Sequence, residues 1–238
     1  MWVCLYFIEF ILFSFLGWIW ETILCIFVNK RWESRGFLFG PVCPIYGVGA
    51  IGGFILLDTL EAMQMPALTW WQVILIAFFG SAVLEYGTSY ILEKLFHAYW
   101  WDYSDWPLNL NGRVSLFSSL GFAAAGLLVV YGLYPFCHWL FSFVSGGFIE
   151  IIAMIFLAVL MVDVTLTVSS LTNMVTKIMQ LDDSLNERMT DVVEMLYSNT
   201  SQLNRRVIAR IRGVRFKKPT QIKAFRKLME KIRKSCKV

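Results

Sequence analysis

Apolar residues dominate five blocks of this chain, near 3–28, 38–58, 70–92, 114–136 and 147–169, with short polar connections between them. Each block is about 20 residues or longer, the length a helix needs to cross roughly 30 Å of hydrocarbon, so five transmembrane helices are predicted. Beyond them the pattern changes. Leu171, Val175, Ile178, Leu185, Met189, Val192, Leu196 and Leu203 recur at helical spacing and fit a heptad seam in which only Asp182 and Asn199 are polar. Such a seam pairs with a copy of itself or a partner, or folds back as an amphipathic helix on the membrane, and the pattern leaves both open. The predicted fold class is all-α: a polytopic membrane protein of about five transmembrane helices with a cytoplasmic helical tail. Its expected parts are a transmembrane domain over 1–170, an amphipathic or coiled-coil-like helix over 171–204 and a basic tail over 205–238.

Composition excludes a soluble domain. With 58% hydrophobic residues, 16% charged residues and a mean hydropathy of +0.61, far more apolar surface exists than one core can bury. Charge then sets the orientation. Lys30, Arg31 and Arg35 lie between the first two blocks, Lys94 and Arg113 between the third and fourth, and every other basic residue follows the fifth; 59–69 and 137–146 contain none. Because basic residues stay on the cytoplasmic side, the N-terminus is predicted outside and the C-terminus inside, in a bacterial inner membrane. The first block lacks a basic n-region and a small-residue cleavage site and is too long for an h-region, so it is read as a span and not as a signal peptide. From Arg205 to Val238 there are 14 basic residues and one acid, Glu230. This block predicts contact with anionic lipid headgroups, at about 1 kcal/mol per Lys or Arg. With only Phe216 and Phe225 interleaved and no nucleic-acid motif, nucleic acid is not an expected partner.

Five acids fall inside the spans: Glu9, Glu21, Glu85, Glu150 and Asp163. A carboxylate in lipid costs about 2.5–3.5 kcal/mol, so each must face protein, water or a cation. Glu21 precedes Lys30, and Glu85 precedes Lys94, by the same nine residues, which puts both about 13 Å from the inner edge. Asp163 belongs to the inner half of the fifth span, while Arg35 and Arg113 stand at the inner starts of the second and fourth. Convergence of these acids and guanidiniums in the inner leaflet is the best candidate site; the alternative is that each is structural and fixes helix register. Glu9 and Glu150 lie near the outer surface, where they can reach water, and no role is expected for them.

Two further segments carry chemistry. From Arg35 to Gly49, prolines 41 and 44 remove two donors and disfavour helix, so 36–44 reads as irregular backbone at membrane depth leading to Tyr46, tolerated only where protein buries it or it lines a cavity. In the inner loop, Tyr99, Trp100, Trp101, Tyr103 and Trp106 suit an interfacial belt. Such a belt does not need Asp102, Asn109, Asn111 and Arg113, whose polar groups suit either internal hydrogen bonds or contact with a ligand. Cys4, Cys25, Cys43, Cys137 and Cys236 form no CxxC pair, and no nucleotide loop, zincin helix or serine elbow occurs. No cofactor or metal is therefore expected, and the chain should not hydrolyse ATP itself.

Gly17-Trp18-x-x-Glu21, then Arg35-Gly36-x-x-x-Gly40-Pro41-x-Cys43-Pro44-Ile45-Tyr46-Gly47-x-Gly49, Glu85-Tyr86, Trp101-Asp102-Tyr103-Ser104 and Asn109-Leu110-Asn111-Gly112-Arg113 stand in this order. Together they resemble the bacterial family of putative ABC-transporter type IV permeases over roughly 9–165. The resemblance implies a permease served by a separate cytoplasmic ATPase, for which the loop 93–113 is the only inner connection long enough to dock.

The residues themselves suggest an oligomeric transporter of a small polar or anionic solute or a lipid headgroup. Glu21, Glu85 and Asp163 would couple ions or protons, Arg35 and Arg113 would hold an anionic group, and Tyr46, Asp102, Asn109 and Asn111 would complete the site. Two other classes stay open: a channel or scaffold without transport chemistry, and an intramembrane lipid-modifying enzyme with Glu21 or Glu85 as general base.

Overall fold

A computed structural model describes residues 2–29, 36–179, 189–214, 216 and 219–235. The apolar blocks fold as α1 (Trp2–Asn29), α2 (Pro44–Ala62), α3 (Trp70–Phe96), α4 (Leu116–Leu128) continued by α5 (Tyr134–Phe141), and α6 (Gly146–Met179). Five stretches are long and apolar enough to cross a membrane, the fourth being Leu116–Phe141. Large side chains such as Phe79, Val83, Met154 and Val159 point outward, as lipid contact requires. The protein is an all-α, multi-pass membrane protein.

Local chemistry sets the element ends. Thr69 caps α3 through a reciprocal box with Gln72, its backbone N–H donating to Gln72 Oε1 at 2.8 Å. His97 ends that helix in the left-handed region, φ 50°. Ser115 and Ser118 form the corresponding box at the start of α4. Pro44 is itself the first residue of α2, where its missing N–H leaves nothing unpaired, so helix starts at the second proline and not after it. Between α4 and α5 a single π turn, Val129–Leu133, precedes Pro135 and accommodates the proline without ending the span.

In the bundle α1 packs on α2 and α6, and α3 packs on α4. Near one end Phe13, Ala50, Phe54 and Cys137 form a small core, with Phe13 and Phe54 edge to face at 5.2 Å. The larger core lies at the opposite end. There Phe96, Trp100, Leu171, Val175 and Ile178 meet the tail helices α7 (Met189–Ser198), α8 (Gln202–Ala209) and α9 (Pro219–Ser235) through Leu196, Val207, Ile208, Leu228 and Ile232. Leu171, Val175, Ile178 and Leu196 of the heptad seam are thus buried within their own chain; Leu185 lies outside the described residues. Asn199 and Thr200 interrupt the helix, and Ser201 Oγ caps α8 by accepting from the Asn204 N–H at 3.2 Å.

Two short ladders complete the fold. β2 (Asn109–Leu110) pairs with β3 (Val114–Ser115) inside the loop before α4, and β1 (Ala98–Tyr99) pairs antiparallel with β4 (Gly213–Val214). The second ladder stitches this loop to the tail, which alters the reading of its aromatics. Trp100 is buried against Phe37 and Phe96, Trp101 donates its indole N–H to the Arg113 carbonyl at 2.9 Å, and Tyr99 sits on β1. Trp106 remains exposed, as an interfacial belt would place it.

Candidate functional site

Glu21 and Tyr46 meet where α1 crosses α2. One turn before Glu21, Gly17 has no side chain, and the Tyr46 ring occupies the space that a Cβ there would need. The ring reaches along α1, and its hydroxyl donates to Glu21 Oε1 at 2.5 Å. Phe122 of α4 packs on the other side, with ring centroids 5.5 Å apart.

Glu85, on α3, is 4% exposed and receives two hydroxyl groups. Ser118 Oγ donates to Oε2 at 2.9 Å and Tyr103 Oη to Oε1 at 3.1 Å. Ser118 is also half of the box that starts α4, so the helix start and the carboxylate share one side chain. Burial, and after it the charges of Glu85 and Glu21, push the Tyr103 phenol well above its ordinary range. Tyr103 therefore keeps its proton and lies within electrostatic reach of both carboxylates. The two acids on different spans, expected at one level, share a neighbourhood in which Tyr103 lies within electrostatic reach of both and Tyr46 of Glu21 and Tyr103. Two hydroxyls on α1, Ser14 Oγ and Thr22 Oγ1, are buried without a hydrogen-bond partner.

Asp163 is used differently. Its Oδ1 accepts from the Phe39 N–H at 2.8 Å and its Oδ2 from the Gly40 N–H at 2.9 Å, so it binds the irregular backbone before α2. Gly40 permits this approach, since a Cβ there would collide with the carboxylate. From the other side Arg210 of the tail donates to the carbonyls of Leu38, Gly36 and Phe39, the last two at 3.4 Å. Burial pulls this guanidinium below its usual value, and Cys43 and Asp163 oppose the effect. Residues 36–43 are non-helical, as the prolines predict, and a carboxylate and a guanidinium bind two of their N–H groups and three of their carbonyls.

Arg113 is engaged elsewhere. It is 7% exposed, pairs with Glu93 at 2.6 Å, donates to Ser89 Oγ at 3.3 Å and lies over the rings of Tyr86 and Tyr90 at 5.4 and 5.5 Å. Asp102 accepts from the N–H and hydroxyl of Ser104, at 3.0 and 2.5 Å. Asn109 donates to the Trp106 carbonyl at 2.8 Å and accepts from the Gly112 N–H at 2.9 Å, and Asn111 donates to the Tyr86 hydroxyl at 3.3 Å. These three side chains shape the loop. Arg35 lies outside the described residues. Among those described, no group of three His, Cys, Asp or Glu side chains is placed to hold a metal ion.

Three contributors escaped sequence reasoning. Tyr103 reads as one more aromatic of the belt, Ser118 carries no motif beyond a serine spacing, and Arg210 is one of 14 basic residues in an unpatterned block. Glu9, expected to reach water, is instead 1% exposed.

Residues 8–168, more than half the chain, match the family described as Putative ABC-transporter type IV, and the chain belongs to that family. No curated protein and no solved structure matches it. Membership and the five apolar helices together support a transporter-like role in a membrane.

Proposed function

We propose that this member of the family is a permease for a small polar solute, with Glu21 and Glu85 as the carboxylates that bind the solute or a coupling proton. One observation carries the reading: among the described residues, two carboxylates from separate spans receive only hydroxyl donors, while Arg113 is committed to Glu93. Glu85 is buried and Glu21 half-buried, and acids so placed, with no cationic partner among the described residues, bind something that supplies positive charge or donated hydrogens. The surroundings accordingly suit a protonated or hydrogen-bond-donating group, such as an amine or the ammonium of a lipid headgroup, better than an anion. Tyr46 and Tyr103 orient the two carboxylates.

The basic tail belongs on an anionic cytoplasmic leaflet of a bacterial inner membrane, leaving the N-terminus outside. Family membership suggests a separate ATPase as partner. The tail helices and the loop stitched to them by β1 and β4 form the surface it would meet, and copies of the chain would assemble around it.

A pH gradient imposed across liposomes containing the purified chain, read with an entrapped pH dye, tests the site. Proton flux above that of protein-free liposomes, abolished by Glu21→Gln with Glu85→Gln while the fold persists, is the expected result. Equal flux in the wild type and the double variant would falsify the site. The scaffold reading would then gain, since Asp163, Arg210 and Arg113 all serve to hold the structure together.

A further inference from the structure

The bundle end away from the tail holds a second set of titratable side chains that the proposed site does not use. Asp58, near the end of α2, accepts at Oδ2 from the Tyr6 hydroxyl of α1 and at Oδ1 from the Tyr134 hydroxyl of α5. His138 Nε2 lies 3.7 Å from Oδ1. Glu9, about one turn along α1 from Tyr6, is within electrostatic reach of Asp58. Glu61 of α2 and Cys137 of α5 also face the group, and Glu150 stands near the start of α6.

Exposure falls stepwise through this set. The side chains of His138 and Asp58 are 50% and 27% exposed, whereas Glu9 as a residue is 1% exposed. The series descends from the surface into the bundle. α1, α2 and α5 contain no Lys or Arg, so these helices offer Glu9 no guanidinium or ammonium. A carboxylate so deeply buried is not held as a bare anion, and either a bound proton or a bound cation must remove its charge.

The geometry selects between them. Both oxygens of Asp58 already accept phenol hydrogens, and among the described residues no group of three His, Cys, Asp or Glu side chains is placed to hold a metal ion, so the cage that a metal cation needs is not assembled. We infer that Glu9, Asp58 and His138 form a proton-binding site that opens to the side opposite the tail, with His138 as the entry group and Glu9 as the buried acceptor. The step is a bare proton transfer: the imidazolium gives up its N–H proton, and a carboxylate oxygen receives it with no change of oxidation state. The inference stands apart from the permease reading, because it uses neither Glu21 nor Glu85.

Infrared pH titration of the full chain in liposomes tests it. Wild type should show a protonated-carboxyl band that Glu9→Gln removes and whose midpoint shifts in Asp58→Asn and His138→Gln. The Glu21→Gln, Glu85→Gln double variant should keep that band even where proton flux is lost, so the two readings fail separately. Glu9→Gln spectra that superimpose on wild type from about pH 5 to pH 9 overturn the inference. Displacement of the band by sodium chloride at fixed pH overturns it too, since the ligand is then a cation. Should Glu9→Gln not fold, the midpoints of the other two variants decide, and two unshifted midpoints sink the proposal.

Discussion

Two regions near the tail end of the bundle bury charge and treat it in opposite ways. Around residues 36–43 every charge has its complement: Asp163 collects backbone N–H groups, Arg210 collects carbonyls, and acid and base interact through the segment between them. Around Glu21 and Glu85 the carboxylates meet, among the described residues, only hydroxyls. The first arrangement is complete and gains nothing from a ligand. The second offers its carboxylates no cation among the described residues, with Glu85 buried, which is the physical condition for binding a proton or a donor-rich solute. The contrast separates an acid that ties backbone together from the two that the permease proposal uses, although Asp163 and Glu85 look alike in the sequence.

The largest effect should come from breaking the complete region. Asp163→Ala takes the acceptor from the half-buried Gly40 N–H, leaves the Phe39 N–H only Thr167 Oγ1 at 3.3 Å, and strips Arg210 of its nearby carboxylate, a loss of about 3 kcal/mol. Glu85→Gln keeps an acceptor for Tyr103 or Ser118 and should cost no more than about 1 kcal/mol. Thermal unfolding in detergent, followed by tryptophan fluorescence, compares them directly. If Glu85→Gln destabilises as much as Asp163→Ala, the distinction between the two regions is void.

Arg113 offers the intermediate case. Its guanidinium combines an ion pair with two ring contacts, and Glu93 keeps 18% of its side-chain surface exposed. Arg113→Ala should cost about 2 kcal/mol, and less when Glu93→Ala accompanies it, because the second change removes the carboxylate left behind. A strictly additive double-mutant cycle would mean that the pair is not coupled. Arg113 would then be available to a ligand after all.

The spans, the irregular segment before α2 and the neighbourhood of Glu21 and Glu85 were legible because each follows from one-dimensional quantities: run length, proline position and distance from the basic edge. What was hidden depends on contacts distant in sequence. Nothing local marks Arg210 among its neighbours as the residue that reaches back to Leu38, and Tyr103 differs from the other loop aromatics only once Glu85 is beneath it. The heptad seam misled for a related reason. Apolar spacing reports that a helix face is buried but not what buries it, and here the partners are Trp100, Phe96 and the chain's own tail helices.

The smallest effect tests the incomplete region without touching a charge. Tyr103→Phe removes one of two hydroxyl donors to Glu85 and leaves the ring in place, for about 1 kcal/mol. Its pH dependence carries more information than its size. Because Tyr103 is held above its ordinary phenol range, its neutral form is favoured in the folded state, and that contribution is fully present below the unfolded value of about 10 and lost only as pH rises through the folded one. The stability gap between wild type and Tyr103→Phe should therefore stay level from about pH 8 to pH 9, where Tyr103 stays neutral. A gap that closes within that interval would mean that the phenol ionises easily. Tyr103 would then be a wetted loop residue, and Glu85 would lack the enclosed setting that makes it different from Asp163.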